Sequence, residues 1–246
     1  MTAPVFVAED FAAGGDGRYV LDGPEGRHAV SVKRLRAGED VVLTDGAGRW
    51  ADCVVLDTEG KDRLILRLES VHEEPAEQPR VTVVQALPKG DRGELAVETM
   101  TEVGVDAIVP WSAARCITQW KGERGAKALG KWRATAREAG KQSRRVRFPE
   151  VAEAATTRQV ATLLAGAEFA AVLHESGDTP LATADLPATG EIVLVVGPEG
   201  GVAPEELALF EEAGAKAYRL GRSVLRTSTA GTAAAAVLLA RTGRWS

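Results

Sequence analysis

The residues best suited to binding a small polar ligand lie in two glycine-containing loops near the C-terminal end of the chain. Residues 197–201 read Gly-Pro-Glu-Gly-Gly and directly follow the apolar run 191–196, whereas residues 220–227 precede an alanine-rich stretch. Glycine lets the main chain approach a ligand and present its N–H and C=O groups, which suits an adenine or a ribose. An isolated loop of this kind is more often a tight turn, but the second loop favours a binding site.

A third loop, Leu173-His174-Glu175, follows another apolar run and completes the candidate site. Each loop is predicted to leave the carboxyl end of a strand in a parallel sheet, and ligands of such sheets bind beyond those ends. The chain has no Gly-x-x-x-x-Gly-Lys-Ser/Thr phosphate loop, and no Gly-x-Gly-x-x-Gly motif opens a helix after the first α/β strand. The sequence therefore does not support an NTPase or a usual dinucleotide enzyme.

Metal and thiol chemistry find little support in the sequence. The three histidines, His28, His72 and His174, are far apart, and no Cys-x-x-Cys pair occurs. We therefore expect no metal site. Cys53 and Cys116 lie in different parts of the chain, outside any recognisable nucleophile motif, and are predicted to be free thiols in a reducing compartment.

The composition is typical of a globular protein. The chain has 246 residues, of which 45% are hydrophobic and 26% are charged. No apolar run reaches the roughly 18 residues of a membrane span. The N-terminus lacks the basic start and apolar middle of a secretory signal. These features predict a cytoplasmic protein with no membrane partner.

The net charge of -5 hides an uneven distribution. Between Lys121 and Arg147 the chain holds ten Lys and Arg residues against two acids, whereas residues 150–214 hold twelve acids against one arginine. A second basic cluster lies between Arg27 and Arg36. The asymmetry is typical of a protein with one polyanion-facing side, although each basic run also fits a solvated helix face.

Turn signals and apolar periodicity divide the chain into two domains. Residues 1–72 contain short β runs whose spacing favours a small barrel, with a short helix within residues 25–35. A linker with two prolines spans residues 73–79. Residues 80–246 alternate strands with helices, which predicts an α/β domain with a mainly parallel sheet. In it we expect Pro110 to end a strand and Ser228 or Thr229 to cap the last helix.

A series of motifs extends over nearly the full chain, each weak alone but specific in order and spacing. They are His28-x5-Arg34-Leu35-Arg36, Asp45-Gly46-x-Gly48, Gln85-Ala-Leu-Pro-Lys89, Thr101-Glu-Val-Gly-Val105, Pro110-x4-Arg115-Cys116, Glu138-Ala-Gly-Lys-Gln-Ser143, Arg145 with Pro149, and the three loops. Together they resemble the RsmE family, within the SPOUT class of S-adenosylmethionine-dependent RNA methyltransferases.

The resemblance implies features of the fold that the pattern alone does not show. These are a trefoil knot near the C-terminus of the SPOUT domain, a PUA-like β-barrel as an RNA-binding first domain, and a homodimer. It also implies S-adenosylmethionine as the cofactor, bound by the three loops. The residues assigned to the cofactor are Leu173, His174, Glu175, Gly197, Pro198, Glu199, Gly200, Gly201, Leu220, Gly221, Val224 and Leu225.

The RsmE family methylates N3 of a uridine in 16S small-subunit ribosomal RNA, so the resemblance implies this substrate, within the assembled subunit. N3 lies on the pairing edge of the base, which must be unpaired or extruded to react. Arg226 is the catalytic candidate, because a cation stabilises the charge that moves to the neighbouring carbonyl oxygens. A structural arginine is the alternative reading of Arg226. Glu199 is a weaker candidate for a general base.

Two basic clusters are expected to hold RNA phosphates. The arginines concerned are Arg27, Arg34, Arg36, Arg144, Arg145 and Arg147. The chain departs from the family at Ser228, where the family often has Glu. Two other functions stay open. A non-catalytic RNA-binding or ribosome-assembly protein would bind no cofactor, and a small-molecule enzyme of the α/β class would bind no RNA.

Overall fold

The computed structural model describes residues 3–11 and 17–245, which form two compact units. The first unit comprises residues up to Ala76 together with Gly140–Phe148, and the second comprises Glu77–Ala139 and the residues from Pro149 onward. The boundary after Ala76 lies inside the predicted linker, but the return of residues 140–148 to the first unit was not predicted. The outermost bounds of the predicted domains, residues 1 and 246, lie outside the described residues.

A small β-sheet forms the centre of the first unit. Its strands are β1 (Val5–Val7), β2 (Arg18–Leu21), β3 (Asp40–Thr44), β4 (Arg49–Glu59) and β5 (Arg63–Glu73). They lie in the order β1-β3-β4-β5-β2, with β1 and β3 parallel and the other pairs antiparallel. In β4 every second residue, Ala51, Cys53 and Val55, is buried, as a half-buried strand requires. The helix predicted within residues 25–35 forms as α1 (Gly23–Arg27) and a π-helical turn, His28–Val32.

The returning segment 140–148 is fixed within the first unit by polar contacts. The ammonium of Lys141 lies 2.9 Å from a carboxylate oxygen of Glu25, and both side chains are largely buried. The hydroxyl of Thr44 donates to the carbonyl of Val146 at 2.8 Å, and the amide of Phe148 donates to the carbonyl of Gly46 at 2.8 Å. These contacts join residues about a hundred positions apart, so local sequence pattern could not predict them.

A seven-stranded parallel sheet and its helices form the second unit. The strands are β6 (Arg80–Ala86), β7 (Ala107–Trp111), β8 (Glu150–Val151), β9 (Phe169–Leu173), β10 (Thr179–Pro180), β11 (Glu191–Val196) and β12 (Lys216–Arg219). The helices are α2 (Arg92–Val103), α3 (Gly122–Gln142, of which residues 140–142 belong to the first unit), α4 (Thr157–Ala165), α5 (Pro204–Glu212) and α6 (Thr227–Arg241). The strand order is β10-β12-β9-β11-β6-β7-β8, and every described pair is parallel. The predicted α/β fold is confirmed, whereas the trefoil knot stays a prediction.

The core of this unit follows from the apolar patterns of its elements. Residues 192–196 of β11 are all buried, as expected for a central parallel strand. Trp132, Ala136 and Ala139 of α3 are buried, as the predicted apolar face requires. The alanine-rich α6 packs closely: a Cβ at its Gly231 would lie 2.8 Å from the sulfur of Met100 in α2. Small residues on α6 therefore permit a close approach of the two helices.

Two local predictions about element ends are wrong. Pro110 does not end its strand, because β7 continues to Trp111 and the carbonyl of Pro110 accepts from the amide of Ala155. Neither Ser228 nor Thr229 caps α6, whose N-cap is Arg226. Ser228 is only 3% exposed and lies within the first helical turn. In both places tertiary packing overrides the local preference. By contrast, Gly104 ends α2 in the left-handed region and Pro204 begins α5, as predicted.

Arg244 is a buried cation that joins three segments of the second unit. Its guanidinium contacts both carboxylate oxygens of Asp106, at 2.5 and 3.1 Å, and lies 2.6 Å from the carboxylate of Glu77. It also donates to the carbonyls of Pro79 and Gly104. The side chain of Arg244 is 5% exposed and that of Asp106 is 11% exposed.

We predict that Arg244→Leu lowers the free energy of unfolding of the second unit by about 3–5 kcal/mol, because it leaves the Asp106 carboxylate buried without its cation. Chemical denaturation followed by circular dichroism measures the change. The control is Arg133→Leu, which removes an ion pair to Glu153 whose partners are 49% and 80% exposed. That variant should lose no more than about 1 kcal/mol. Equal losses in the two variants would contradict the role assigned to Arg244.

Candidate active site

The three predicted ligand loops leave adjacent strands of the parallel sheet. β12, β9 and β11 are consecutive in the strand order, and their registers pair Tyr218 with Leu173 and Leu173 with Val196. Because the strands are parallel, their carboxyl ends lie at one edge of the sheet. The segments that follow them, residues 173–175, 197–201 and 220–226, therefore converge there, as the sequence predicted.

The first loop turns sharply after β9. The amide of His174 donates to the carbonyl of Tyr218 at 3.0 Å, and the amide of Gly177 donates to the carbonyl of His174 at 3.1 Å. Nδ1 of His174 lies 2.7 Å from the hydroxyl of Ser176. A Cβ at Gly177 would lie 2.8 Å from the backbone of Tyr218, so the close approach requires glycine. The carboxylate of Glu175 has no partner among the described residues.

The second loop closes on itself and on two neighbouring segments. The amide of Gly201, which has a φ of +73°, donates to the carbonyl of Pro198 at 2.9 Å. The guanidinium of Arg115 donates to the carbonyl of Gly200 at 3.0 Å. The carboxylate of Glu199 accepts from the amide of Lys89 at 3.2 Å. The loop is thus held from outside by residues about a hundred positions earlier in the chain.

Glu206, which sequence reasoning missed, joins the segment after the second loop to two other segments of the unit. It is 6% exposed and lies in the first turn of α5. Oε1 accepts from the amide of Ala114 at 2.8 Å and from the hydroxyl of Thr157 at 2.9 Å, and Oε2 accepts from the amide of Ala203 at 3.2 Å. Arg115, the residue after Ala114, reaches Gly200. The only sequence signal was an acid three residues after a helix N-cap.

The third loop runs from Leu220 into α6. Its last residue, Arg226, is the helix N-cap, and its carbonyl accepts from the amides of Thr229 and Ala230 at 2.9 Å. The buried amide of Gln85 donates to the carbonyl of Thr227 at 3.3 Å and so holds the start of α6 against β6. Val224 is 82% exposed.

These loops enclose a cleft of about 400 Å³. Every residue predicted to bind the cofactor lines it except Gly200, whose carbonyl instead accepts from Arg115. Arg226 lines it as well. The remaining lining residues were not predicted from the sequence: Arg92, Val196, Val202, Tyr218, Arg219, Arg222, Ser223, Thr227 and Ala230. Burial raises the pKa of Tyr218 above its ordinary value, so its hydroxyl stays protonated at neutral pH.

The six arginines predicted to hold RNA all lie in the first unit. Arg27, Arg34, Arg36 and Arg144 are exposed. Arg34 and Arg144 have positive φ values, of 57° and 59°, an uncommon backbone state for a residue with a Cβ. Arg147 differs, because its guanidinium donates to the carbonyl of Glu74 at 2.7 Å and its Nε is buried without a partner. Its side chain is therefore engaged in the packing of the unit.

Neither cysteine offers a nucleophile. Burial raises the pKa of Cys53 to about 12 and raises that of Cys116 above its ordinary value, so both stay as thiols at neutral pH. Within residues 3–11 and 17–245, no group of three or more His, Cys, Asp or Glu side chains is arranged to hold a metal ion. No helix in those ranges has both the length and the apolar character needed to span a membrane.

Comparison with known proteins assigns the chain to a family. Residues 75–239 match the RNA methyltransferase domain family, and residues 21–69 match the RNA methyltransferase PUA domain family. The chain is 46% identical over 230 residues to the ribosomal RNA small subunit methyltransferase E of Mycobacterium bovis, covering 92% of this chain and 87% of that protein. The chain belongs to the ribosomal RNA small subunit methyltransferase E family. The Bacillus subtilis member is 29% identical, with 86% of each chain covered.

Solved structures of similar proteins share the whole fold. A Neisseria gonorrhoeae ribosomal RNA small subunit methyltransferase E, bound to S-adenosyl methionine, superimposes with a TM-score of 0.83 at 28% identity, covering 98% of each chain. A Legionella pneumophila methyltransferase in complex with the cofactor SAM superimposes with a TM-score of 0.86 at 28% identity, again covering 98% of each chain. The PUA-like first unit and the methyltransferase second unit are therefore those of this family.

We predict that Glu206→Leu lowers the free energy of unfolding of the second unit by about 2–4 kcal/mol, because two main-chain amides lose a charged acceptor. The matched control is Glu205→Leu, the exposed neighbour in the same helical turn. It should change stability by less than about 0.5 kcal/mol. Denaturant titration of both variants provides the comparison, and a loss in Glu206→Leu no larger than that of the control would disprove the bracing role.

Proposed function

We propose that this methyltransferase transfers a methyl group from S-adenosylmethionine to N3 of a specific uridine in 16S small-subunit ribosomal RNA. The supporting observation is the cleft lined by the three loops, in a chain whose relatives carry this name and include a structure bound to S-adenosyl methionine. Methyl transfer requires residues that hold the cofactor and residues that act on the base.

The residues of the cleft fit the cofactor. The glycine-containing loops expose main-chain groups to a volume of about 400 Å³, within the usual range of small-molecule sites. Leu173, Val196 and Leu220 supply apolar surface for an adenine, and the carboxylates of Glu175 and Glu199 can accept from ribose hydroxyls or an ammonium. When bound, S-adenosylmethionine supplies a methyl group already activated by its sulfonium. The chain must then align the base and manage its proton.

Arg226 acts on the uracil in this proposal. N3 becomes a nucleophile when its proton leaves, and the resulting charge spreads to the neighbouring carbonyl oxygens. Arg226 lines the cleft from the N-cap position of α6, and its guanidinium has no partner among the described residues. An unpaired cation at this position can stabilise the developing charge. Glu199 is less suited to take the proton, because its carboxylate already accepts from the amide of Lys89.

The first unit holds the RNA strand in this proposal. Exposed arginines of the two basic clusters, with Arg34 and Arg144 on left-handed backbone, contact phosphates without reading sequence. Arg147 contributes through the packing of the unit rather than by direct contact. The proposal also includes the assembled small subunit as substrate, a homodimer, a C-terminal knot and a cytoplasmic location.

The test is transfer of labelled methyl from S-adenosylmethionine to small ribosomal subunits that lack their own N3-methyluridine, followed by nucleoside analysis. We expect labelled N3-methyluridine at a single position. Another labelled nucleoside would disprove the proposed target atom. Absence of both transfer and cofactor binding would favour a non-catalytic RNA-binding or ribosome-assembly protein. Cofactor binding without any RNA affinity would favour a small-molecule enzyme.

We predict that Arg226→Ala lowers kcat about 10²–10³-fold at saturating substrates, the usual effect of removing one charge-stabilising donor. Cofactor affinity should stay within about twofold, because the group acts on the uracil. Lys216→Ala, an exposed substitution in β12, serves as the control. Single-turnover methylation and calorimetric cofactor titration separate the two effects. Wild-type turnover by folded Arg226→Ala would rule out the assigned role.

A further inference from the structure

The cleft is lined by several arginines that have no partner in the part of the chain that the structure describes. Four arginines line it, Arg92, Arg219, Arg222 and Arg226. None of their side chains has a hydrogen bond or an ion pair among the described residues, whereas Arg133 and Arg244 of the same unit are paired with carboxylates. Among the described residues two carboxylates line the cleft, those of Glu175 and Glu199, and that of Glu199 already accepts from an amide. The lining therefore holds four unpaired arginines against two glutamates.

The cofactor alone does not explain this arrangement. S-adenosylmethionine carries a sulfonium and an ammonium against a single carboxylate, so its net charge is positive. Four guanidinium groups beside a cationic ligand would repel it unless an anion entered with the second substrate. Under the proposed function, that substrate is RNA, which brings one phosphodiester for each nucleotide. A phosphate beside the extruded uridine is an anion that the cleft arginines can bind.

Arg92 is the arginine best placed to bind such a phosphate. Arg219 and Arg222 are exposed, on β12 and in the third loop, and Arg226 is assigned to the uracil. Arg92 belongs to α2, the only cleft-lining residue from that helix among the described residues, and it is half-buried. A helical backbone fixes the origin of its side chain more firmly than a loop does. Its planar fork also matches a phosphate with two parallel hydrogen bonds.

We infer that Arg92 binds the backbone phosphate next to the target nucleotide and so places the base in the cleft. The inference rests on the proposed function and extends it from cofactor binding to RNA positioning within the same cleft. Arg92 is then a binding residue for the RNA strand, while Arg226 acts on the base. The rival assignment, in which Arg92 binds the carboxylate of the cofactor, makes a different prediction for cofactor affinity.

The experiment compares Arg92→Ala and Arg92→Lys with Arg158→Ala, an exposed arginine of α4 that does not line the cleft. Calorimetry measures the Kd for S-adenosylmethionine without RNA. Steady-state methyl transfer at saturating cofactor measures KM and kcat for small subunits over a range of salt concentrations. Thermal unfolding checks that all three variants remain folded.

We expect Arg92→Ala to raise the subunit KM about 10-fold or more, with kcat and the cofactor Kd little changed. Arg92→Lys should restore part of the loss, because lysine keeps the charge but not the fork. The slope of log kcat/KM against log salt should become shallower by about one in Arg92→Ala. Arg158→Ala should behave as wild type.

Two results would overturn the inference. A cofactor Kd raised as much as the subunit KM would assign Arg92 to the carboxylate of the cofactor, and an unchanged subunit KM would show that Arg92 binds no phosphate. Failure of the proposed function is separate, because wild type would then transfer no methyl. In that case, fluorescence anisotropy measures the binding of a labelled small-subunit RNA fragment in the presence of cofactor. Weaker binding by Arg92→Ala than by wild type supports the inference, and equal binding overturns it.

Discussion

The parallel register of β12, β9 and β11 is the constraint on which the candidate site depends. Because these strands run in one direction and lie side by side, the three loops that follow them must meet at one edge of the sheet. Glu206 and Gln85 add to this constraint, because each is buried and hydrogen-bonds the main chain where α5 or α6 begins, directly after two of the loops.

Charge is used in two different ways in this protein. Lys141 and Arg244 are buried, and each has a carboxylate within hydrogen-bond distance, so their charges contribute to holding distant segments together. The arginines of the cleft have no such partner and stay available to a ligand. A net charge of -5 is compatible with binding a polyanion, because ten of the Lys and Arg residues are concentrated between Lys121 and Arg147.

Element ends were predicted correctly from the sequence where local backbone preference sets them, and wrongly where tertiary contacts set them. Gly104 and Pro204 mark helix ends through their own backbone preferences, and both predictions are confirmed. Pro110 and Ser228 were assigned by the same kind of rule and both assignments are wrong. The neighbouring segment of Ala155 extends the strand through Pro110, and the packing of α6 buries Ser228 inside the first turn. Local preference yields where tertiary contacts supply the hydrogen bonds.

The sequence by itself determined the alternation of strands and helices, the three loops and the order of the motifs, because these depend on residues close together in the chain. Only the tertiary structure decided that Arg92 shares the cleft with Arg222, that Glu206 braces Ala114, and that residues 140–148 return to the first unit. Each of these contacts joins residues roughly ninety or more positions apart, and the periodicity of a strand or helix carries no information over that distance.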